Sequence, residues 1–197
     1  MSDEQLAMAA AGGDRRALEL LLDRHVDRVH AVCRRVVLHQ EDALDATQEG
    51  LLAVARGIGR FDGRSRFTTW LHRVATNAAL DELRRKRRRP VTGHLEDVAA
   101  GAGERVAAAG ASRDPGRTPM DGVDARLDVD AALAQVPEEF RVAVVLRDLA
   151  DLDYGEIAEV LDVPLGTVKS RVNRGRAVLR AALGNPKAVA GRRTETP

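Results

Sequence analysis

The stretch DYGEIAEVLDVPLGTVKSRVNRGR, Asp153–Arg176, constrains the fold more than any other part of this 197-residue chain. Apolar residues recur at helical spacing on both sides of a short break at Asp162–Pro164, and the second run is rich in cations. Ile157 gives the first run an apolar face, and Val168 and Val172 give the second run another. Two short helices joined by such a tight corner predict a helix-turn-helix.

The second of these helices must bury its valine stripe, so its polar side chains are predicted to face outward. They are Lys169, Ser170, Arg171, Asn173, Arg174 and Arg176. Arginine and asparagine pair with guanine and adenine edges in the major groove. We expect Ser170, Asn173 and Arg174 to read bases and the remaining cations to contact phosphates. The alternative is an ordinary helical hairpin with solvated charges.

The composition favours an all-α protein. Aromatic residues make up 3% of the chain and charged residues 31%, so a core must be built mainly from aliphatic side chains at helical spacing. No alternating segment predicts a strand. No apolar run approaches the length of a membrane span, and the N-terminus lacks a signal-peptide pattern, so we expect a cytoplasmic protein without membrane insertion.

The spacing of apolar residues predicts helices from residue 14 onward. Asp14, after two glycines, is the expected N-cap of the first helix, along which Leu21, Val29 and Cys33 recur at helical spacing. A second helix is expected over about 41–58, with Leu44 and Leu52 among its apolar positions.

The periodicity and composition divide the chain into two small helical domains joined by a flexible linker. Residues 14–90 form the first helical domain, residues 91–125 a linker rich in Gly, Ala, Pro and Asp, residues 126–183 the helix-turn-helix domain, and residues 184–197 a disordered tail. Residues 60–90 and 167–197 each carry a net charge of +7, and residues 91–166 carry −10. Two separate cationic blocks predict two contacts with a polyanion.

The first cationic block contains a loop, RFDGRSRFTT, and a basic helix end, RRKRRR, at 84–89. Arg64 and Arg66 are placed to reach phosphates, and Phe61 and Phe67 lie beside them. Core packing is the alternative for the two phenylalanines and is the expected role of Trp70. Six adjacent cations repel one another, which favours phosphate contact over a merely solvated helix end.

Nothing in the sequence predicts an enzyme, a cofactor or a metal site. The chain has no phosphate-binding glycine loop, no nucleophile elbow and no histidine–glutamate constellation. His30 and the single Cys33 are three residues apart, but two ligands do not make a zinc site. Cys33 is expected to be a small buried hydrophobe.

Two sets of motifs, in order around the linker, resemble those of the extracytoplasmic-function (ECF) group of the bacterial sigma-70 family. PEEFRVAVVLRDLADLDYGEIAEVLDVPLGTVKSRVNRGRAVLR is similar to the domain that binds the promoter −35 element. DALDATQEGLLAV is similar to the helix that binds the clamp of core RNA polymerase, and RFDGRSRFTTWLHRVATNAALDELRR is similar to the segment that melts and reads the −10 element.

The resemblance implies a sigma factor that directs promoter-specific initiation, together with its partners and binding residues. The partners are core RNA polymerase, promoter DNA that is duplex at −35 and single-stranded at −10, and an anti-sigma factor. The acidic linker would lie along a cationic channel of the enzyme. The implied contacts with the polymerase are Asp42, Asp45, Gln48 and Glu49; those with the −10 element are Phe61, Arg64, Arg66, Phe67, Asn77, Arg84 and Arg85.

The sequence departs from the family pattern at three positions of the helix-turn-helix, one of which is Gly175, in RGR where RAR is frequent. Asp162 stands where glycine is common, and Asn173 stands where histidine or an aromatic residue is frequent, which leaves the promoter sequence open. A stand-alone helix-turn-helix regulator is the alternative function, although it leaves residues 42–89 without a role. A recombinase is a further alternative, but the only tyrosine, Tyr154, lies inside the DNA-binding motif.

Overall fold

The computed structural model describes residues 1–88 and 129–184, and every regular element in these two ranges is helical. The first range contains α1 (Asp3–Ala11), α2 (Arg15–Val37), α3 (Gln40–Gly57), a turn of 3₁₀ helix (Ile58–Arg60) and α4 (Phe67–Arg88). The second contains α5, described over 129–134, then α6 (Glu138–Asp148), α7 (Tyr154–Leu161) and α8 (Leu165–Leu183). The predicted all-α fold class is confirmed.

The first domain is a bundle in which α2, α3 and α4 pack on one another and α1 covers one side. Asp14 begins α2 as predicted, because its carboxylate accepts hydrogen bonds from the main-chain N–H groups of Arg16 and Ala17, at 2.9 and 3.1 Å. The core holds the expected α2 residues, including Leu21, Val29 and Cys33, all fully buried.

Helix α1 was not expected from the sequence, which placed the start of the domain at residue 14. A reciprocal capping box begins this helix: Gln5 donates its N–H to Ser2 Oγ at 3.2 Å, and Ser2 donates its N–H to Gln5 Oε1 at 2.9 Å. Leu6, Ala7 and Ala10 are buried in the core of the first domain. The domain therefore begins earlier than the periodicity from Asp14 indicated.

The second domain contains the predicted helix-turn-helix in α7 and α8, packed on α6. Ile157, Val168 and Val172 are completely buried, as the pattern predicted. At Gly175 the helices α8 and α6 approach so closely that a Cβ would lie 2.5 Å from Val144 Cγ2. This contact sets the position of α8 on the rest of the domain.

The corner between α7 and α8 depends on a left-handed residue. Asp162 ends α7 with φ 52° and ψ 51°, the conformation for which glycine is the usual choice. An aspartate tolerates this region better than most residues with a side chain. The departure from glycine noted in the sequence therefore preserves the turn, and the next helix begins at Leu165 after Pro164.

The two domains pack against each other in this structure, which the sequence did not predict. Helix α6 lies on α2, and α7 lies on α4. Arg141 of α6 donates from Nε to the main-chain oxygen of Val36 at 3.1 Å. Thr69 Oγ1 in α4 donates to Glu156 in α7 at 2.6 Å.

The predicted linker, 91–125, and the predicted tail apart from Gly184 lie outside the described residues. Within the described ranges, no helix has the length and apolar character needed to cross a membrane.

Candidate nucleic-acid interface

Helix α8 presents the polar face that the sequence predicted. Lys169, Asn173 and Arg174 are exposed, and Ser170 is half-buried beside them. Residues 170, 173 and 174 are spaced three and four apart, so they share one side of the helix. Because the opposite side is buried through Val168 and Val172, this face is the one that α8 leaves open to a ligand.

Carboxylates and an aromatic ring of α6 hold three arginines of α8. Arg171 is paired with Glu139 at 3.0 Å. Arg176 donates from Nε to Asp148 at 3.1 Å, and this hydrogen bond raises the pKa of the guanidinium. The Arg174 guanidinium lies 5.9 Å from the centre of the Phe140 ring, within cation–π range, and is otherwise open to solvent. The fold therefore separates Arg171 and Arg176, which carboxylates of α6 anchor, from Arg174, which has no carboxylate partner among the described residues.

The loop between the 3₁₀ turn and α4 is short and cationic. Gly63 has φ 71°, and the N–H of Arg64 donates to Asp62 Oδ1 at 3.1 Å, which closes the turn. Arg64 and Arg66 are exposed, with 89% and 68% of their side chains accessible. The structure therefore places both guanidinium groups at the surface, as expected for phosphate contacts.

Phe61 and Phe67 are buried, which changes their expected role. Their exposed fractions are 5% and 0%, and their rings meet edge to face with centroids 5.9 Å apart. Trp70 packs against both, at 5.7 and 6.1 Å. As the protein stands, neither ring is available to stack on a base. The two rings instead fix both ends of the loop that carries Arg64 and Arg66.

Asn77 is exposed on α4 at the edge of a groove between α3 and α4, with a volume of about 470 Å³. The walls combine the small side chains of Ala46, Ala53 and Ala78 with polar residues at the rim. The amide of Asn77 offers the groove both a hydrogen-bond donor and an acceptor. Glu49, assigned to the polymerase contact, lines the same groove.

The basic end of α4 is surrounded by carboxylates, so its cations are less free than the sequence indicated. Arg84 pairs with Asp81 at 2.7 Å, and Arg85 pairs with Glu82 and lies 3.8 Å from Asp45. Lys86 pairs with Asp42 at 2.6 Å. All of these cations remain about half exposed, so they can exchange a carboxylate for a phosphate. Arg89 lies outside the described residues.

Asp45, Gln48 and Glu49 are exposed together on α3, whereas the side chain of Asp42 is only 19% accessible. The same face carries two leucines for which the sequence pattern indicates only apolar positions of the helix. Leu44 and Leu52 are 47% and 46% exposed and lie four residues on either side of Gln48. An apolar stripe bordered by carboxylates is suited to a protein partner. These leucines differ from core residues only by their exposure in the folded structure, which the sequence pattern does not show.

Cys33 is the buried hydrophobe that the sequence predicted. It is completely buried, and burial raises the pKa of its thiol to about 11. His30 is engaged by Thr47, with Nδ1 3.1 Å from Oγ1. In the described ranges no three His, Cys, Asp or Glu residues are arranged to hold a metal ion.

Two family models match this chain in the order of its two domains. Sigma-70 region 2 matches residues 21–89, and Sigma-70 region 4 matches residues 126–179. Thus the α2–α4 bundle corresponds to the first region and the helix-turn-helix domain to the second.

Comparison with individual proteins gives the same result. The chain is 38% identical to the ECF RNA polymerase sigma factor SigM of Mycobacterium tuberculosis over 183 residues, which are 93% of this chain and 85% of SigM. Its fold is similar to CnrH in complex with the cytosolic domain of CnrY, with a TM-score of 0.67, 24% identity and coverage of 93% and 98%. It is also similar to the sigma factor RpoE in complex with the anti-sigma factor NepR from Bartonella quintana, with a TM-score of 0.63, 22% identity and coverage of 85% and 97%. On its sequence, this chain belongs to the ECF RNA polymerase sigma factors.

Proposed function

We propose that this sigma factor confers promoter specificity on core RNA polymerase through three surfaces on its two domains. Helix α8 reads the −35 element, the loop 61–66 and the groove beside Asn77 hold the melted −10 strand, and the exposed face of α3 docks on the polymerase. The single observation that carries the proposal is the face of α8, where exposed Asn173 and Arg174 lie opposite completely buried valines.

At the −35 element, Ser170, Asn173 and Arg174 contact bases in the major groove. Lys169, Arg171 and Arg176 contact phosphates, and the pairing of Arg171 and Arg176 to α6 holds their guanidinium groups in fixed positions. These anchored cations set the register of the helix on the duplex. Arg174, which lies over the Phe140 ring and has no carboxylate partner among the described residues, supplies the sequence-dependent contact.

At the −10 element, a base displaced from the duplex enters the groove beside Asn77, and nearby cations hold its backbone. The cations are Arg64, Arg66, Arg84 and Arg85. Holding an unpaired base in a shaped pocket offsets the free energy lost on unpairing. Phe61 and Phe67 contribute indirectly, because their buried rings hold the loop in place.

The contact with core polymerase uses the α3 face. Leu44 and Leu52 supply apolar area, and Asp45, Gln48 and Glu49 surround it with polar groups. Interfaces of this kind combine an apolar centre with a polar rim. Asp42 contributes by holding Lys86 and thereby the end of α4.

The protein carries out no chemistry of its own and acts in the cytoplasm, where it meets the polymerase. An anti-sigma factor regulates it, as the resemblance implies; a structural neighbour was solved in complex with such a factor. The stand-alone regulator is disfavoured because it assigns no role to the exposed α3 face or to the Asn77 groove.

Run-off transcription tests the proposal. Core polymerase with this protein should start transcripts at defined sites on fragments of the native genome, and core alone should not. Tight binding of the purified protein to promoter duplex without polymerase, together with no specific transcript, would instead establish the stand-alone regulator.

A further inference from the structure

The start of α4, within the segment that resembles the −10-binding motif, contacts a carboxylate of the other domain. Thr69 Oγ1 donates to Glu156 Oε1 at 2.6 Å, and Arg66 Nη1 lies 3.6 Å from the same oxygen. A hydroxyl that donates to a carboxylate at this distance forms a charge-assisted hydrogen bond. The other oxygen of Glu156 accepts the N–H of Asp153 at 2.9 Å and so caps α7. Glu156 therefore links the helix-turn-helix directly to the −10 segment.

A cavity of about 70 Å³ lies between the two domains at this point. On the side of the first domain it is lined by Arg28, Arg66, Thr68 and His72, and on the other side by the α6–α7 loop, including Asp151. His72 is 1% exposed, and its Nδ1 has no hydrogen-bond partner. Burial and the positive charge of Arg28 lower the pKa of His72 to about 4. The wall from the first domain thus offers cations and hydrogen-bonding groups but no carboxylate.

The ion pairs between the two domains have a consistent polarity. Arg34 pairs with Asp130, Arg87 with Glu138 at 2.5 Å, and Arg66 with Glu156. In each of these pairs the first domain supplies the cation and the helix-turn-helix domain supplies the carboxylate. Each carboxylate thus gives an arginine of the first domain the kind of negative charge that a DNA phosphate would supply.

We propose that Glu156 occupies a phosphate subsite of the −10 strand, formed by Thr69, Arg66 and the neighbouring His72 wall, so that domain closure and −10 binding exclude each other. The proposal rests on the proposed function, because it takes the loop 61–66 to be part of the −10 surface. A backbone phosphate that enters the subsite displaces Glu156 and separates α7 from α4. The closed protein thereby protects its −10 surface from non-specific single strands until a promoter strand competes.

Replacing Glu156 with glutamine tests the competition and keeps the local fold. Glutamine preserves the size of the side chain and an oxygen that can accept the N–H of Asp153, as a capping box requires. The probe is a fluorescent single-stranded 12-mer with the −10 sequence of a promoter identified by run-off transcription. Glu156→Gln should bind it about three- to tenfold more tightly than the wild type, the effect expected for removing one competing charge-assisted hydrogen bond.

Glu159→Gln is the matched control. Glu159 lies on the same helix α7 and is exposed, and its replacement by glutamine changes the net charge by the same amount. If the two variants bind the 12-mer equally tightly, net charge alone explains the gain and the proposal is overturned. Adding the 12-mer to the wild type should also increase the radius of gyration measured by small-angle X-ray scattering, because the domains separate. A complex as compact as the free protein would equally overturn it.

A second variant separates this proposal from the proposed function. Arg66→Gln removes an exposed cation that serves both Glu156 and the phosphate, so it should weaken 12-mer binding in the Glu156→Gln background. If the wild type prefers the −10 sequence over a scrambled 12-mer but Glu156→Gln changes nothing, only the subsite proposal fails. If no variant distinguishes the two oligonucleotides, the assignment of the −10 surface fails as well.

Discussion

Arg141 of α6 donates to the main-chain carbonyl of Val36, in the last turn of α2, across the boundary between the domains. The distance from Nε to the oxygen is 3.1 Å, and a second nitrogen donates to the carbonyl of Val136 at 3.2 Å. The residue is 7% exposed, and burial lowers the pKa of its guanidinium. The cation meets the negative end of the α2 dipole, where main-chain oxygens lack helical partners. This contact connects the two domains in the closed protein.

Arg141→Ala should destabilise the closed protein by about 1–3 kcal/mol, because it leaves two buried carbonyls without donors. Urea denaturation followed by circular dichroism measures the change. Arg180→Ala, an exposed position on α8, is the control and should change stability by less than about 0.5 kcal/mol. Equal stabilities for the two variants would contradict the role assigned to Arg141.

Gly175→Val should destabilise the helix-turn-helix domain by about 1–3 kcal/mol, the usual cost of overpacking. Even a single Cβ there would lie 2.5 Å from Val144 Cγ2 and 3.0 Å from the main-chain oxygen of Phe140. The control is Gly166→Ala on the same helix, where a Cβ has no neighbour within 4 Å. That variant should be neutral or slightly stabilised, since alanine favours helix more than glycine does. Thermal denaturation of both variants gives the comparison.

Arg174→Ala should relax the −35 preference at one base position and cost about 1–3 kcal/mol of binding to the preferred promoter. Its exposed guanidinium lies over Phe140, on the face of α8 that is proposed to enter the major groove. Selection of −35 sequences from a randomised pool with holoenzyme measures the preference.

Arg176→Ala is the comparison for Arg174→Ala. Arg176 is anchored to Asp148, so its loss should weaken binding to all sequences alike and make the salt dependence shallower by roughly one unit of slope. If Arg174→Ala leaves the selected consensus unchanged, Arg174 contacts only phosphate.

Asp45→Arg with Glu49→Arg should abolish binding to core polymerase, because the α3 face would then repel any cation that the clamp presents. Both side chains are exposed, so the double variant should fold, although an arginine at 45 would also lie near Arg85. A pull-down of core enzyme measures binding. Glu19→Arg with Asp23→Arg on α2 is matched in charge and helical spacing, and it should retain core binding. If both double variants lose core binding, the change in net charge explains the loss, and the α3 face is not the docking surface.

Asn77→Ala should leave core binding intact and reduce open-complex formation on duplex promoters. The amide lies at the rim of the groove, where it can hold a displaced base. Permanganate footprinting on matched promoters and on templates mismatched at −10 measures melting. Rescue by mismatches should be partial, since they lower the unpairing penalty but do not restore the lost base contact. If Asn77→Ala instead lost core affinity, the surfaces would have to be reassigned.

The sequence by itself determined most helices of both domains, α1 excepted, because apolar spacing and capping residues act over a few neighbours along the chain. Asp14 began its helix as the pattern required, and the valine stripe of α8 fixed which of its sides must be buried. Burial of that stripe in turn fixed the outward position of Asn173 and Arg174. These features depend on local geometry, so the order of residues was enough.

Whether an ambiguous residue is buried or exposed was decided only by the tertiary structure. Phe67 is completely buried and Leu44 is half exposed, although the local pattern placed one beside DNA and the other on an apolar face. The packing of the two domains on each other could not be predicted from the sequence either, because the hydrogen bond between Thr69 and Glu156 joins residues 87 positions apart. Such a contact depends on how two separate helices meet in space, and no periodicity along the chain encodes that distance.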